Sequence, residues 1–188
     1  TKENGTPNHN DYGRYGNPTV RAVETRLAAL ENADNAVLMS SGMAAITTSL
    51  LTLLKAGDHI VITDDCYKRT REFVGDFFSR YGVSCSVVPI DDFEIIEASI
   101  TPKTRIIISE SPTNPTLRII DINQLVELAK AHNILTMLDT TFATPVNLRP
   151  AEFGVDLIVH SGTKYLGGHH DLLAGAVVGR QELIEQIR

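Results

Sequence analysis

Cysteine is scarce in this chain, and the scarcity sets its first limits. Cys66 and Cys85 are the only two among 188 residues, and they form neither a disulfide framework nor a CxxC pair. Both lie in or beside apolar segments, where a thiol serves as a small buried hydrophobe. A reducing, cytoplasmic setting is the expectation. Long apolar runs are missing too: none approaches the roughly 20 residues that a membrane-crossing helix needs, so no membrane partner is expected. Basic charge is outnumbered, with 17 Lys and Arg against 23 Asp and Glu and a net charge of −6. No basic run offsets this, which argues against nucleic acid as the main partner. The opening residues, TKENGTPNHND, are polar and carry no apolar stretch of the secretory type.

What is present is the composition of a soluble globular domain, 43% hydrophobic and 21% charged. Residues 1–16 are rich in Asn, Gly and Tyr without periodicity and read as an extended arm. Asn17 and Pro18 then open a helix, as cap and first residue, followed by Val20, Val23, Leu27 and Leu30 at helical spacing. Seven short β-rich runs come next, at 36–39, 59–63, 83–88, 105–109, 134–138, 155–159 and 174–178. Helix-like segments at 43–54, 68–81, 92–99 and 121–132 separate most of them. This alternation predicts an α/β fold with a mainly parallel sheet and helices on both faces. The last two runs have no helix between them. A parallel crossover needs about a dozen residues or more, usually helical, so the seventh strand is predicted antiparallel.

In open sheets of this kind ligands sit beyond the carboxyl ends of the strands. There the sequence places Ser40-Ser41-Gly42-Met43, Asp64-Asp65-Cys66-Tyr67, "ESPTNP" (110–115), Asp139-Thr140-Thr141-Phe142 and His160-Ser161-Gly162-Thr163-Lys164. Lys164 stands among small polar residues, before a glycine pair. An amine so placed can become a nucleophile when desolvated or set beside another cation. Asp139 ends an apolar strand, where a carboxylate calls for a cationic partner. The helix opened by Gly42 and Met43 offers free N–H groups to a phosphate. Ser161 and Thr163 add hydroxyls, and Tyr67 can stack on a ring. A lysine for an aldehyde, a carboxylate for a ring nitrogen and a helix start for a phosphate together describe pyridoxal 5′-phosphate (PLP).

The stretches "YGRYGNPT", "SSGMAAI", "DDCY", "ESPTNP", "LDTTFATP" and "HSGTKYLGGHHD" make the chain resemble the Cys/Met metabolism (trans-sulfuration) family of PLP-dependent enzymes. Within it, "CYKRTREF" and "FATPVNLRPAEFGVDLIVHSGTKYLGGHHDLLAG" are most similar to plant-type cystathionine γ-synthases. The resemblance implies the aspartate-aminotransferase-like fold (fold type I), a large PLP-binding domain over 17–188, and a C-terminal small domain absent from this chain. It implies PLP held as a Schiff base on Lys164, which then moves protons. Asp139 would pair with the ring nitrogen and Tyr67 would stack on the ring. Gly42, Met43, Ser161 and Thr163 would hold the phosphate, with Asn114 and Thr141 near the ring's oxygen edge or beneath it. Tyr12 and Arg14 would reach the phosphate of a neighbouring subunit, in a homotetramer built from dimers with shared active sites.

The activity so implied is γ-replacement on an O-acylated homoserine with cysteine, giving cystathionine. O-acylhomoserine sulfhydrylation, methionine γ-lysis and cystathionine cleavage use the same cofactor set. A non-catalytic assembly fragment is the reading of a different class. Two departures from the family fall near the substrate: Lys68-Arg69-Thr70 follows the tyrosine where many relatives have a glycine pair, and Thr140 stands where Asn is common. Ser161 to Lys164 also spells S-x-x-K, the motif of a serine acyl-transfer enzyme. The S-x-N and K-T-G motifs that such enzymes require do not follow it. His160, His169, His170 and Asp171 have the residue types of a metal site, but the adjacent histidines sit in a glycine turn and no metal is expected. Lys68, Arg69 and Arg71 form a basic helix face that is either solvated or a contact for an acidic leaving group.

Overall fold

The computed structural model describes residue 13 and residues 16–188, so nearly all of the expected arm, with Tyr12 and Arg14, lies outside the described residues. Helix α1 (Pro18–Glu31) starts as the sequence predicts. Asn17 Oδ1 accepts the N–H groups of Thr19 at 2.8 Å and Val20 at 3.4 Å. Its buried stripe is not the expected apolar one: Glu24, Leu27, Ala28 and Glu31 face inward, while Val20, Val23 and Leu30 are exposed. The two glutamates are tolerated inside because each has a partner, as buried charges require. Glu24 binds Arg188 at 2.9 Å and accepts Leu38 N–H at 2.9 Å. Glu31 meets His160 Nε2 at 2.5 Å.

Seven strands form one sheet: β1 (Asn35–Met39), β2 (His59–Thr63), β3 (Ser84–Val88), β4 (Thr104–Glu110), β5 (Leu135–Asp139), β6 (Leu157–Ser161) and β7 (Gly175–Gly179). Their order is β1-β7-β6-β5-β4-β2-β3. All neighbouring pairs are parallel except those of β7, which runs antiparallel to both β1 and β6. The predicted antiparallel strand is therefore found, and the carboxyl ends of β1, β2, β4, β5 and β6 share one edge.

Successive residues of each strand alternate between two apolar layers, so the sheet is covered on both faces. Val61, Ile107, Leu138 and Ile158 pack toward α1, α4 (Phe93–Ala98) and α5 (Ile122–Ala131). Ile62, Ile106, Ile108, Met137 and Val159 pack toward α2 (Gly42–Leu53), the segment after β2, and α7 (Gln181–Ile187). Each such side chain, fully buried, contributes about 1.5–3 kcal/mol.

The segment predicted as one helix over 68–81 is instead three short turns. Helix α3 (Lys68–Glu72) gives way to a wide π turn (Phe73–Phe77) and a tight 3-10 turn (Phe78–Tyr81). Gly75 lowers helix propensity in the middle, and the wider turn lets Val74 and Phe78 both reach the core while Phe73 stacks on Phe77 at 5.0 Å. The sequence pattern also missed α6 (Thr144–Asn147), the 3-10 turn Pro150–Phe153 and α7.

Two glycines fix how closely α2 approaches the sheet. A Cβ on Gly175 would lie 1.9 Å from Ser41 O, and one on Gly42 would lie 2.8 Å from Ser161 Cβ. Ser41 O is backbone at the cap of α2 and Ser161 Cβ is fixed to the end of β6, so neither can swing away. Gly175→Ala is expected to destabilise the fold by about 1–3 kcal/mol, the range for an overpacked core. Urea unfolding monitors this, and an unchanged midpoint would refute the close approach.

Candidate active site

At the carboxyl edge of the sheet lies a cavity of about 340 Å³. The start of α2 forms one wall, the loop after β2 another, and the ends of β4, β5 and β6 the floor. The structure brings together here all nine predicted site residues that it describes: Gly42, Met43, Tyr67, Asn114, Asp139, Thr141, Ser161, Thr163 and Lys164.

Asp139 sits on the floor. Its accessible part faces the cavity rather than bulk water, and burial pushes its carboxyl above the ordinary value, opposed by two bonds from Thr141. Thr141 donates its N–H at 3.0 Å and its hydroxyl at 2.6 Å, both to Oδ1. The same hydroxyl oxygen accepts Ser161 N–H at 2.8 Å. A short chain thus runs from β6 through Thr141 to the carboxylate, and among the described residues Oδ2 is left for a cation.

Helix α2 is capped by Ser41, whose Oγ accepts Ala44 N–H at 3.1 Å. That bond and the first helical turn use neither Gly42 nor Met43 N–H, which remain among the unpaired donors of a helix start. The contact of Gly42 with Ser161 sets these donors beside the Ser161 hydroxyl. Thr163 lines the same wall, its hydroxyl bonded to the Ala174 backbone at 3.2 Å.

Lys164 follows on an exposed turn at the cavity mouth. The glycine pair behind it has a mechanical reason. Gly168 takes a left-handed φ of 86°, and a Cβ on Gly167 would press within 2.7 Å of Gly162 O. The chain can therefore fold back against its own lysine loop only with glycine there. Tyr67 stands opposite with its ring half exposed, and Asn114 is exposed on the loop after β4.

Five cavity residues had no role in the sequence reading: Ser41 and Ile46 of the α2 wall, Phe142, Leu173 and Glu110. Phe142 and Leu173 add apolar wall, and Glu110 adds a second acid. Glu110 is 8% exposed, and its Oε2 accepts Tyr67 N–H at 2.6 Å. Burial, then the charge of Asp139, push its carboxyl up to about 8. The available signal was its place at the end of an apolar strand beside "SPTNP", which reads as a turn.

Other candidates are not assembled. His160 is fully buried against Glu31 on the opposite face of the sheet, away from the exposed His169 and His170. Lys68 and Arg69 both turn to Glu72, at 3.6 and 2.7 Å, and Arg71 donates to Cys66 O at 3.0 Å. Cys66 is buried under Tyr67, and Cys85 is half-buried.

The sequence model of the Cys/Met metabolism PLP-dependent enzymes matches residues 1–188. The chain is 44% identical to chloroplastic cystathionine gamma-synthase 1 of Arabidopsis thaliana over 95% of this chain and 32% of that one. The crystal structure of cystathionine gamma-lyase from Lactobacillus plantarum, in complex with L-serine, superposes with a TM-score of 0.94 and 40% identity, covering 100% of this chain and 49% of that one. A Campylobacter jejuni structure, named as an O-acetylhomoserine (thiol)-lyase and containing N′-pyridoxyl-lysine-5′-monophosphate, superposes with a TM-score of 0.88 and 35% identity, covering 93% and 43%. The chain thus spans between about a third and a half of the length of these proteins.

The raised acid has a consequence for stability in the cofactor-free protein. Between pH 4.5 and about 8 the folded Glu110 keeps a proton that the unfolded chain releases. Its contribution therefore falls as pH rises through that window and levels off above it. Asp139, also raised, acts with the same sign. Urea unfolding at a series of pH values is expected to show a smaller decline in Glu110→Gln than in the parent. Parallel curves would contradict the assignment.

Proposed function

The chain belongs to the Cys/Met metabolism family of PLP-dependent enzymes, and from that premise we propose that the protein catalyses γ-replacement on an O-acylated homoserine with cysteine, giving cystathionine. Members of this family act on small amino acids with PLP. The residues of the cavity fit that cofactor. The cradle at Gly42 would be filled by any Cβ, and among the described residues no cationic side chain touches the Asp139 carboxylate, which feels His160 only at a distance. These are what a phosphate and a protonated ring nitrogen require.

The observation that carries the proposal is the convergence of Lys164, Asp139 and the start of α2 on one cavity. Gly42 and Met43 N–H, with the Ser161 and Thr163 hydroxyls, would bind the phosphate. Asp139 would hold a proton on the ring nitrogen, itself steadied by Thr141. Tyr67 would lie over the ring, with Asn114 at its oxygen edge. Bound PLP supplies an aldehyde carbon for amines and a ring that takes up electron density from the amino-acid α-carbon. Lys164 would anchor that aldehyde carbon and, once displaced by substrate, would move the α-proton with Nζ. Proton transfer from the β-carbon would then let the acyl group leave the γ-carbon as a carboxylate, and the cysteine sulfur would add there with loss of its thiol proton.

The choice of replacement over elimination is supported by the likeness to the plant synthase and by the segment "CYKRTREF". Elimination is the second reading, favoured by the likeness to a γ-lyase. We also infer an arm over 1–16, carrying Tyr12 and Arg14 into a neighbouring subunit's site, a PLP-binding domain over 17–188, and a cytoplasmic homotetramer of dimers. No helix among the described residues is long and apolar enough to cross a membrane.

Full-length protein given an O-acylhomoserine is expected to make cystathionine when cysteine is present and 2-oxobutanoate only in its absence, as read by mass spectrometry. Formation of 2-oxobutanoate alone in both cases would favour elimination. Lys164→Ala is expected to lose about a thousandfold or more in rate and the borohydride-fixable cofactor adduct. An adduct surviving in that variant would refute the site.

A further inference from the structure

Glu110 has no place in the cofactor contacts described above, yet more of the site meets on it than on any of them. In the β4–β5 register it stands directly beside Asp139, so two carboxyl groups face the cavity from adjacent strands. Its Oε2 accepts Tyr67 N–H at 2.6 Å, and the backbone N–H of Asn114 points at the same carboxyl. The loop carrying the stacking tyrosine, the strand beside Asp139 and the loop carrying Asn114 therefore converge on one side chain. Tyr67 has no side-chain cap at the start of α3, and its own carbonyl is taken by Thr70 and Arg71 N–H. The Glu110 bond is the one that ties its N–H to the floor of the cavity.

We propose that Glu110 is the positioning residue of this site: its carboxyl group holds the Tyr67 backbone to the sheet and so sets the tyrosine ring over the bound cofactor. This rests on the reading that the cavity binds PLP through Asp139. The charged and titratable groups around Glu110 are Asp139 on β5, Asp65, Cys66 and Tyr67 on the loop after β2, and Lys164 across the cavity. Burial, and after it the acids beside it, keep its proton on near neutral pH. A ring cation bound at Asp139 offsets the nearer of those charges, which lowers the affinity of Glu110 for its proton. Cofactor binding near pH 7.5 then releases a proton from Glu110, and the ionised oxygen accepts Tyr67 N–H more strongly.

The test uses full-length protein with Glu110→Gln, which keeps an accepting oxygen without the titration, and Glu110→Ala, which removes both. In the cofactor-free protein, hydrogen exchange at the Tyr67 amide is expected to be slow in the parent and in Glu110→Gln and faster in Glu110→Ala. With PLP added, Glu110→Ala is expected to bind about tenfold more weakly and to lose the circular dichroism of the cofactor's visible band. Glu110→Gln is expected to recover both and to lose the proton release, measured by calorimetry in buffers of different ionisation heat. An unchanged amide and cofactor dichroism in Glu110→Ala would overturn the proposal, as would Glu110→Gln failing as fully as Glu110→Ala. Should Glu110→Ala not fold, the proton count of Glu110→Gln decides: release equal to the parent overturns the proposal. A parent with a protected Tyr67 amide but no cofactor band would sink the PLP reading while leaving the tyrosine clamp in place.

Discussion

Two carboxyl groups at adjacent strand ends, starved of solvent and with no ion pair among the described residues, are the constraint around which this site is arranged. Asp139 and Glu110 each sit where an ionised group is costly. The fold answers with directed N–H and O–H donors rather than with an ion pair. Thr141 serves Asp139, and the backbone of the β2 loop serves Glu110. Because neither arrangement supplies a full positive charge, the cavity is complementary to a ligand that brings one. A protonated pyridine ring would do so, and its phosphate would meet the unpaired N–H groups on the facing wall.

The same donors tie the sheet edge together. Thr141 bridges β5 to β6 through Ser161 N–H, and Gly42 brings α2 against that very residue. The acid and the anion cradle therefore share Ser161 as a common reference point, although they lie on different elements far apart in the chain. Rigid spacing between two binding subsites is what a ligand with charges at both ends needs for orientation.

Much of this was legible beforehand, for a definite reason. Strands rich in Val and Ile announce themselves, and in a parallel sheet the residues that end them fall on one edge, so "HSGTK", "LDTT" and "SSGM" could be read as neighbours. Features that depend on side-chain pairing across long separations were not legible. Glu31 and His160 lie 129 positions apart and meet at a buried contact that no periodicity encodes. The inward face of α1 was misjudged because its glutamates are accepted by partners on β1, β6 and at Arg188, leaving its valines outside. Glu110 was passed over because an acid before Ser-Pro looks like the start of a loop, and its role depends on which backbone N–H the tertiary fold presents to it.

The lysine loop leaves the sheet at Ser161 and re-enters at Gly175, and those two residues are paired directly across β6 and β7. The excursion between them is thus a drawstring pouch with its neck already tied. Insertions or deletions along residues 165–173 would change the rim of the mouth without loosening the neck. On this plan the entrance to the pocket is separable from the point at which Lys164 is moored to the scaffold.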